Sequence, residues 1–66
     1  MDIMEIGKNA GLVWKTLHQK GSQNSANLKK LTGLDDKNLC LALGWLAREG
    51  KINFHSEKRS IMIVLK

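Results

Sequence analysis

Three helices followed by a two-stranded antiparallel β-hairpin, an α+β fold in one domain over residues 1–66, is the architecture this chain predicts. Three observations carry the prediction. Apolar residues recur at three- and four-residue spacing as far as Gly50 and alternate with polar ones after it. Gly21, Gly33 and Gly50 close three helical stretches. Polar residues suited to helix N-caps open the second stretch (Asn24 or Ser25) and the third (Asp35).

The first helix spans about Asp2 to Lys20. Ile3, Ile6, Ala10, Val13, Trp14 and Leu17 share one face, with Gly7 at its border, and Glu5, Lys8, Leu12, Lys15, Thr16 and Gln19 lie opposite. Asp2 and Glu5 suit the positive N-terminal end of the helix dipole, and Lys20 before Gly21 suits its end. The polar run Ser22 to Ser25 connects to a short second helix over Ala26–Thr32, held by packing through Leu28 and Leu31. Leu34 leads to Asp35 as the next cap, with Asp36 in the first turn. Leu39, Ala42, Leu43 and Leu46 form the core stripe of the third helix, which runs to about Glu49. Lys51 to His55 alternate as a half-buried strand, Ser56 to Ser60 form a polar turn, and Ile61 to Leu65 form a strand with apolar side chains on both faces.

A short helix ending at Thr32-Gly33-Leu34, followed by a capped second helix, is a helix-turn-helix signal. Glycine permits the tight turn and the apolar residue after it fills the gap between crossing helices. A hairpin directly after the third helix makes the order that of a winged helix-turn-helix.

Two stretches then resemble a family of very small bacterial and archaeal winged helix-turn-helix proteins of unassigned function. They are Leu28-Lys29-Lys30-Leu31-Thr32-Gly33-Leu34 and Leu41-Ala42-Leu43-Gly44-Trp45-Leu46-Ala47-Arg48-Glu49-Gly50-Lys51-Ile52. The opening Ile6-Gly7-Lys8-Asn9-Ala10-Gly11 with Val13-Trp14 fits the same family, so the likeness covers nearly the whole chain. The join from Leu46 to Ile52 also resembles that between recognition helix and wing in regulators of the multiple-antibiotic-resistance and arsenic-repressor types. The chain departs from the family pattern before the second helix. Gln23 and Ser25 replace apolar residues there and Asn27 replaces an acidic capping partner, so the family's short first strand is not among the predicted elements. The resemblance implies the fold and a role in DNA binding.

The bulk properties bound the partners. At 66 residues the core is small, and the single cysteine excludes an intrachain disulfide. Apolar residues at 42% are enough for a folded core, and a second copy or partner would add stability. A net charge of +5 favours a polyanion, nucleic acid above all, although solubility accounts for it equally well. No stretch approaches the roughly 18 apolar residues of a membrane span. The acidic start Met1-Asp2-Ile3-Met4-Glu5 has no signal-peptide core, so a cytoplasmic protein with a reduced thiol is expected.

On DNA, a third helix of this fold enters the major groove and the wing touches the backbone. Opposite the core stripe of that helix lie Lys37, Leu41, Gly44, Trp45 and Arg48, with Asn38 at the edge. Lys37, Asn38 and Arg48 can read bases or hold phosphate, but the centre of the face is Leu41, Gly44 and Trp45, which suits packing better. Residues 35–50 carry Asp35, Asp36 and Glu49 against Lys37 and Arg48, so the positive charge sits on helix two and the wing.

Two readings stand. In one, a small DNA-binding regulator holds double-stranded DNA through Lys29, Lys30, Lys37, Asn38, Arg48, Lys58 and Arg59. In the other, a protein-interaction module buries Leu41, Gly44, Trp45, Met62 and Val64 against a second copy or another protein. A homodimer serves both.

Cys40 is expected as a small thiol bordering the core, Trp14 as core, and His55 as a solvated strand residue. His18 and His55 with one cysteine make no metal-ligand cluster, so no metal or other cofactor is expected. No nucleophile elbow, phosphate-binding glycine loop or paired carboxylates appear, and so small a domain leaves no room for a small-molecule pocket. An enzyme is not predicted.

Overall fold

α1 spans Ile3–Lys20 and buries a narrow stripe of Ala10, Val13 and Leu17. These are residues 3–66 of a computed structural model, so Asp2, expected at the start of the helix, lies outside the described residues. The predicted stripe is wider than the buried one. Ile3 is 70% exposed, more than a turn before the first residue that reaches the core, and Ile6 is half-buried. Trp14, expected in the core, sits at the rim of the stripe, 39% exposed, and its indole stacks on His18 with centroids 5.1 Å apart. Gly21, at φ 83°, ends the helix by donating its N–H to the Leu17 carbonyl at 2.8 Å.

After Ser22 comes a two-residue strand that the sequence did not predict. β1, Gln23–Asn24, pairs antiparallel with the final strand, Gln23 opposite Ile63 and Asn24 opposite Met62. Its polar side chains suit a strand that is also a helix start. Asn24 is extended, and its Oδ1 accepts the backbone N–H of Asn27 at 2.8 Å, capping α2 over Ser25–Thr32. Gln23 donates from Nε2 to the Lys20 carbonyl at 3.2 Å and accepts from Asn27 Nδ2 at 3.3 Å. Such a strand needs no apolar alternation, which is why periodicity passes over it.

α2 is held through Leu28, which is fully buried; Leu31, expected beside it, is 47% exposed. At the turn, the Thr32 hydroxyl donates to the Leu28 carbonyl at 2.6 Å and accepts the Leu34 N–H at 3.3 Å. Gly33, at φ 75°, donates to the Lys29 carbonyl, and Leu34 packs half-buried against the core as the plug between helices. Asp35 caps α3, Asp36–Arg48, its Oδ1 accepting the Asn38 N–H at 2.8 Å. Leu39, Ala42, Leu43 and Leu46 are all buried, as the spacing predicts.

β2, Ile52–Glu57, and β3, Ser60–Leu65, form the hairpin, and the sheet order is β1-β3-β2, three strands rather than two. The polar stretch expected as a five-residue turn is mostly strand. Ser56 pairs with Ile61 and Glu57 with Ser60, leaving a two-residue loop of Lys58 and Arg59. The outer hairpin projects into water, so polar residues pair there without a burial penalty.

Ile52 and Ile63 share the sheet face that completes the core with the helices. Phe54 and Ile61 lie on the same face nearer the tip and are 49% and 51% exposed. Met62 and Val64 are on the opposite face, half-buried.

Candidate nucleic-acid interface

The outward side of α3 follows from its core stripe. With Leu39, Ala42, Leu43 and Leu46 turned inward, a helix of 3.6 residues per turn sets Lys37, Leu41, Gly44 and Arg48 farthest from the core. Lys37, Gly44 and Arg48 are exposed and Leu41 is half-buried. Cys40, expected at the core border, is exposed on this side as well, one step round the helix from Leu39. The two large apolar residues expected at the centre of the face are half-buried, and Trp45 packs against the core. An indole at the edge of the stripe can lean back over its own helix onto the core, a direction that a wheel of Cα positions does not show. The outward surface is therefore Lys37, Cys40, Gly44 and Arg48, with Leu41 beside them.

Gly44 keeps this surface low. It lies inside the helix with an ordinary helical φ, and a Cβ built on it meets nothing within 4 Å. Its own fold gives no steric reason for a glycine, which weakens a helix interior by about 1 kcal/mol relative to alanine. What the glycine leaves is a place where another molecule can approach the α3 backbone.

The other basic residues fall into two groups. Lys29 reaches across the turn to Asp36 in the first turn of α3, with Nζ 3.0 Å from the carboxylate, an ion pair open to solvent and screened by it. Lys30 is exposed and lines a shallow groove with Lys20, Gln23, Asn27 and Leu31. Lys20 was missed by sequence reasoning because it belongs to another helix, and only the fold brings it beside Lys30. Asn38 is half-buried, and its backbone N–H is engaged in the α3 cap.

Lys58 and Arg59 form the exposed tip of the wing. Lys58 has φ 51°, and among the described residues it is the only non-glycine with positive φ. Two-residue hairpin loops favour glycine or asparagine where φ is positive. A lysine there holds a conformation costing about 1–2 kcal/mol.

The chain matches the family described as winged helix-turn-helix domain (DUF2582) over residues 1–65. It belongs to that family. No curated protein matches the chain. As a DUF2582 member it has the α+β winged-helix class expected, with the third strand added. Among its described residues, no helix is long and apolar enough to cross a membrane, and no group of three or more His, Cys, Asp or Glu could hold a metal ion.

Proposed function

We propose that this domain binds duplex DNA as a small regulator, with α3 in the major groove and the wing tip on the phosphate backbone. The observation that carries the reading is the outward surface of α3. Trp45 packs on the core, and Lys37 and Arg48 flank the low surface at Gly44, which suits a close approach to a polyanion. The family's fold typically serves as a DNA-binding module rather than an enzyme. In this reading the two exposed cations at the wing tip, Lys58 and Arg59, hold phosphate, and Lys37 and Asn38, near the start of α3, reach base edges.

The test is a titration of binding to random-sequence duplex DNA at rising salt. Four phosphate contacts give a slope of log K against log salt of about −3.6, roughly a hundredfold weakening from 50 to 200 mM. Absence of binding at low salt removes the proposal. It would favour the protein-interaction module instead, for which Phe54 and Ile61 offer half-exposed apolar side chains on one face of the wing.

Lys58 makes a separate prediction. Lys58→Gly relieves the left-handed strain and raises stability by about 0.5–1 kcal/mol after the greater chain entropy of glycine is subtracted. The same change removes a phosphate contact and weakens DNA binding about tenfold at 50 mM salt. Thermal melts and anisotropy titrations on one sample check both. Equal DNA affinity would mean that the wing tip does not touch the backbone.

A further inference from the structure

We infer that the groove between the end of α1 and the flank of α2 is a phosphate site, taking the phosphate group of a small ester or of a nucleic-acid strand. The inference does not depend on how α3 docks.

Lys20, Gln23, Asn27, Lys30 and Leu31 line a groove of about 290 Å³, and among the described residues no acidic side chain lines it. Lys20 and Lys30 are exposed and, among the described residues, in no ion pair, whereas the neighbouring Lys29 faces Asp36. Between the two cations runs a chain of carboxamides. Gln23 donates from Nε2 to the Lys20 carbonyl at 3.2 Å, and its Oε1 accepts from Asn27 Nδ2 at 3.3 Å. Each amide nitrogen keeps a second N–H for a ligand, and the bond already made orients it. Carbonyl oxygens that would repel an anion are engaged as well: that of Leu17 accepts the Gly21 N–H, and that of Lys20 accepts from Gln23.

Local helix rules favour an acid at this place. Asn27 is the third residue of α2, where glutamate completes a capping box and suits the helix dipole, yet the first turn of α2 holds no acid. A carboxylate at that position would enter the groove. Without it, two cations and two amide donors surround one space, and charge-assisted hydrogen bonds from such a set fit the oxygens of a phosphate. Leu31, 47% exposed, adds an apolar wall beside Lys30. That wall suits the carbon skeleton of a phosphate ester. The volume is at the small end for ligand sites, room for one phosphorylated sugar but not for a large cofactor. Because the groove is open to water, inorganic phosphate binds weakly, with a dissociation constant on the order of millimolar.

The side-chain amide signals of Gln23 and Asn27 in two-dimensional NMR spectra of the full chain test this. Sodium phosphate is raised to about 50 mM against sodium chloride at constant ionic strength. The expected result is a saturating shift of both signals. Lys20→Gln with Lys30→Gln weakens binding at least about fivefold. Lys58→Gln with Arg59→Gln, which removes the same charge from the wing, leaves it intact. No saturable shift overturns the inference, as does one that both double variants weaken equally. A pentose phosphate and a random duplex without terminal phosphates separate the two sources. Tighter binding of the pentose phosphate than of inorganic phosphate assigns the groove to small esters. Movement of the same signals by the duplex, lost in Lys20→Gln with Lys30→Gln, assigns it to a strand. If neither molecule moves them, the inference fails, whether or not the duplex binds elsewhere.

Discussion

Leu28→Ala is expected to remove roughly half of the protein's folding free energy. Leu28 is the one buried residue of α2, an eight-residue helix too short to persist by itself in water. Its side chain is fully enclosed by the core that α1, α3 and the sheet complete. Truncating a leucine in such a setting costs about 3–5 kcal/mol, through lost burial and the cavity left behind. A domain of 66 residues has a total stability of roughly 3–10 kcal/mol. The loss therefore removes a large share of the stability, and α2 carries with it the cap at Asn24 and the turn into α3. Urea unfolding followed by circular dichroism measures it. Leu31→Ala, three residues on and 47% exposed, should cost less than about 1 kcal/mol. Equal losses at the two sites would show that α2 packs through a different face.

The contrast between Leu28 and Leu31 marks where sequence reading stops. Both fit the spacing of a short amphipathic helix, and two turns are too few for periodicity to choose between them. On α3 four apolar positions, a capping aspartate and a closing glycine agree, and the stripe is read correctly to the residue. The tryptophans go the other way. Trp14 falls on the apolar face of α1, which predicts a core position, yet it lies at the rim against His18; Trp45 falls outside the stripe of α3, yet packs on the core. Large flat side chains reach a full helical turn from their Cα, so rim positions are decided by neighbouring elements. β1 is invisible for a different reason: its two residues are polar, and their strand conformation is fixed by β3, which comes some forty residues later. The basic residues were legible by type, but not their availability. Lys29 is engaged by Asp36, whereas Lys37, Arg48, Lys58 and Arg59 are exposed and in no ion pair among the described residues.

Removing those four cations in pairs should give the largest change in DNA binding. Each phosphate contact contributes about 0.9 to the salt slope, so Lys37→Ala with Arg48→Ala, or Lys58→Ala with Arg59→Ala, lowers the slope by about 1.8. Because the term comes from released counterions, each pair should cost about a hundredfold in affinity at 50 mM salt and only about tenfold at 200 mM. A loss that does not shrink with salt would come from damaged folding. That damage is not expected, since all four side chains are exposed and in no ion pair; melting curves check it. The two pairs should then differ in kind. The wing residues hold phosphate and weaken all duplexes alike, whereas Lys37, near the start of α3, can reach a guanine edge. Measured over a library of random duplexes, the α3 pair should flatten any ranking of sequences and the wing pair should preserve it. If both pairs flatten it, the wing reads bases as well. If neither changes slope or ranking, α3 and the wing do not contact DNA, and the outward surface at Gly44 serves a different partner.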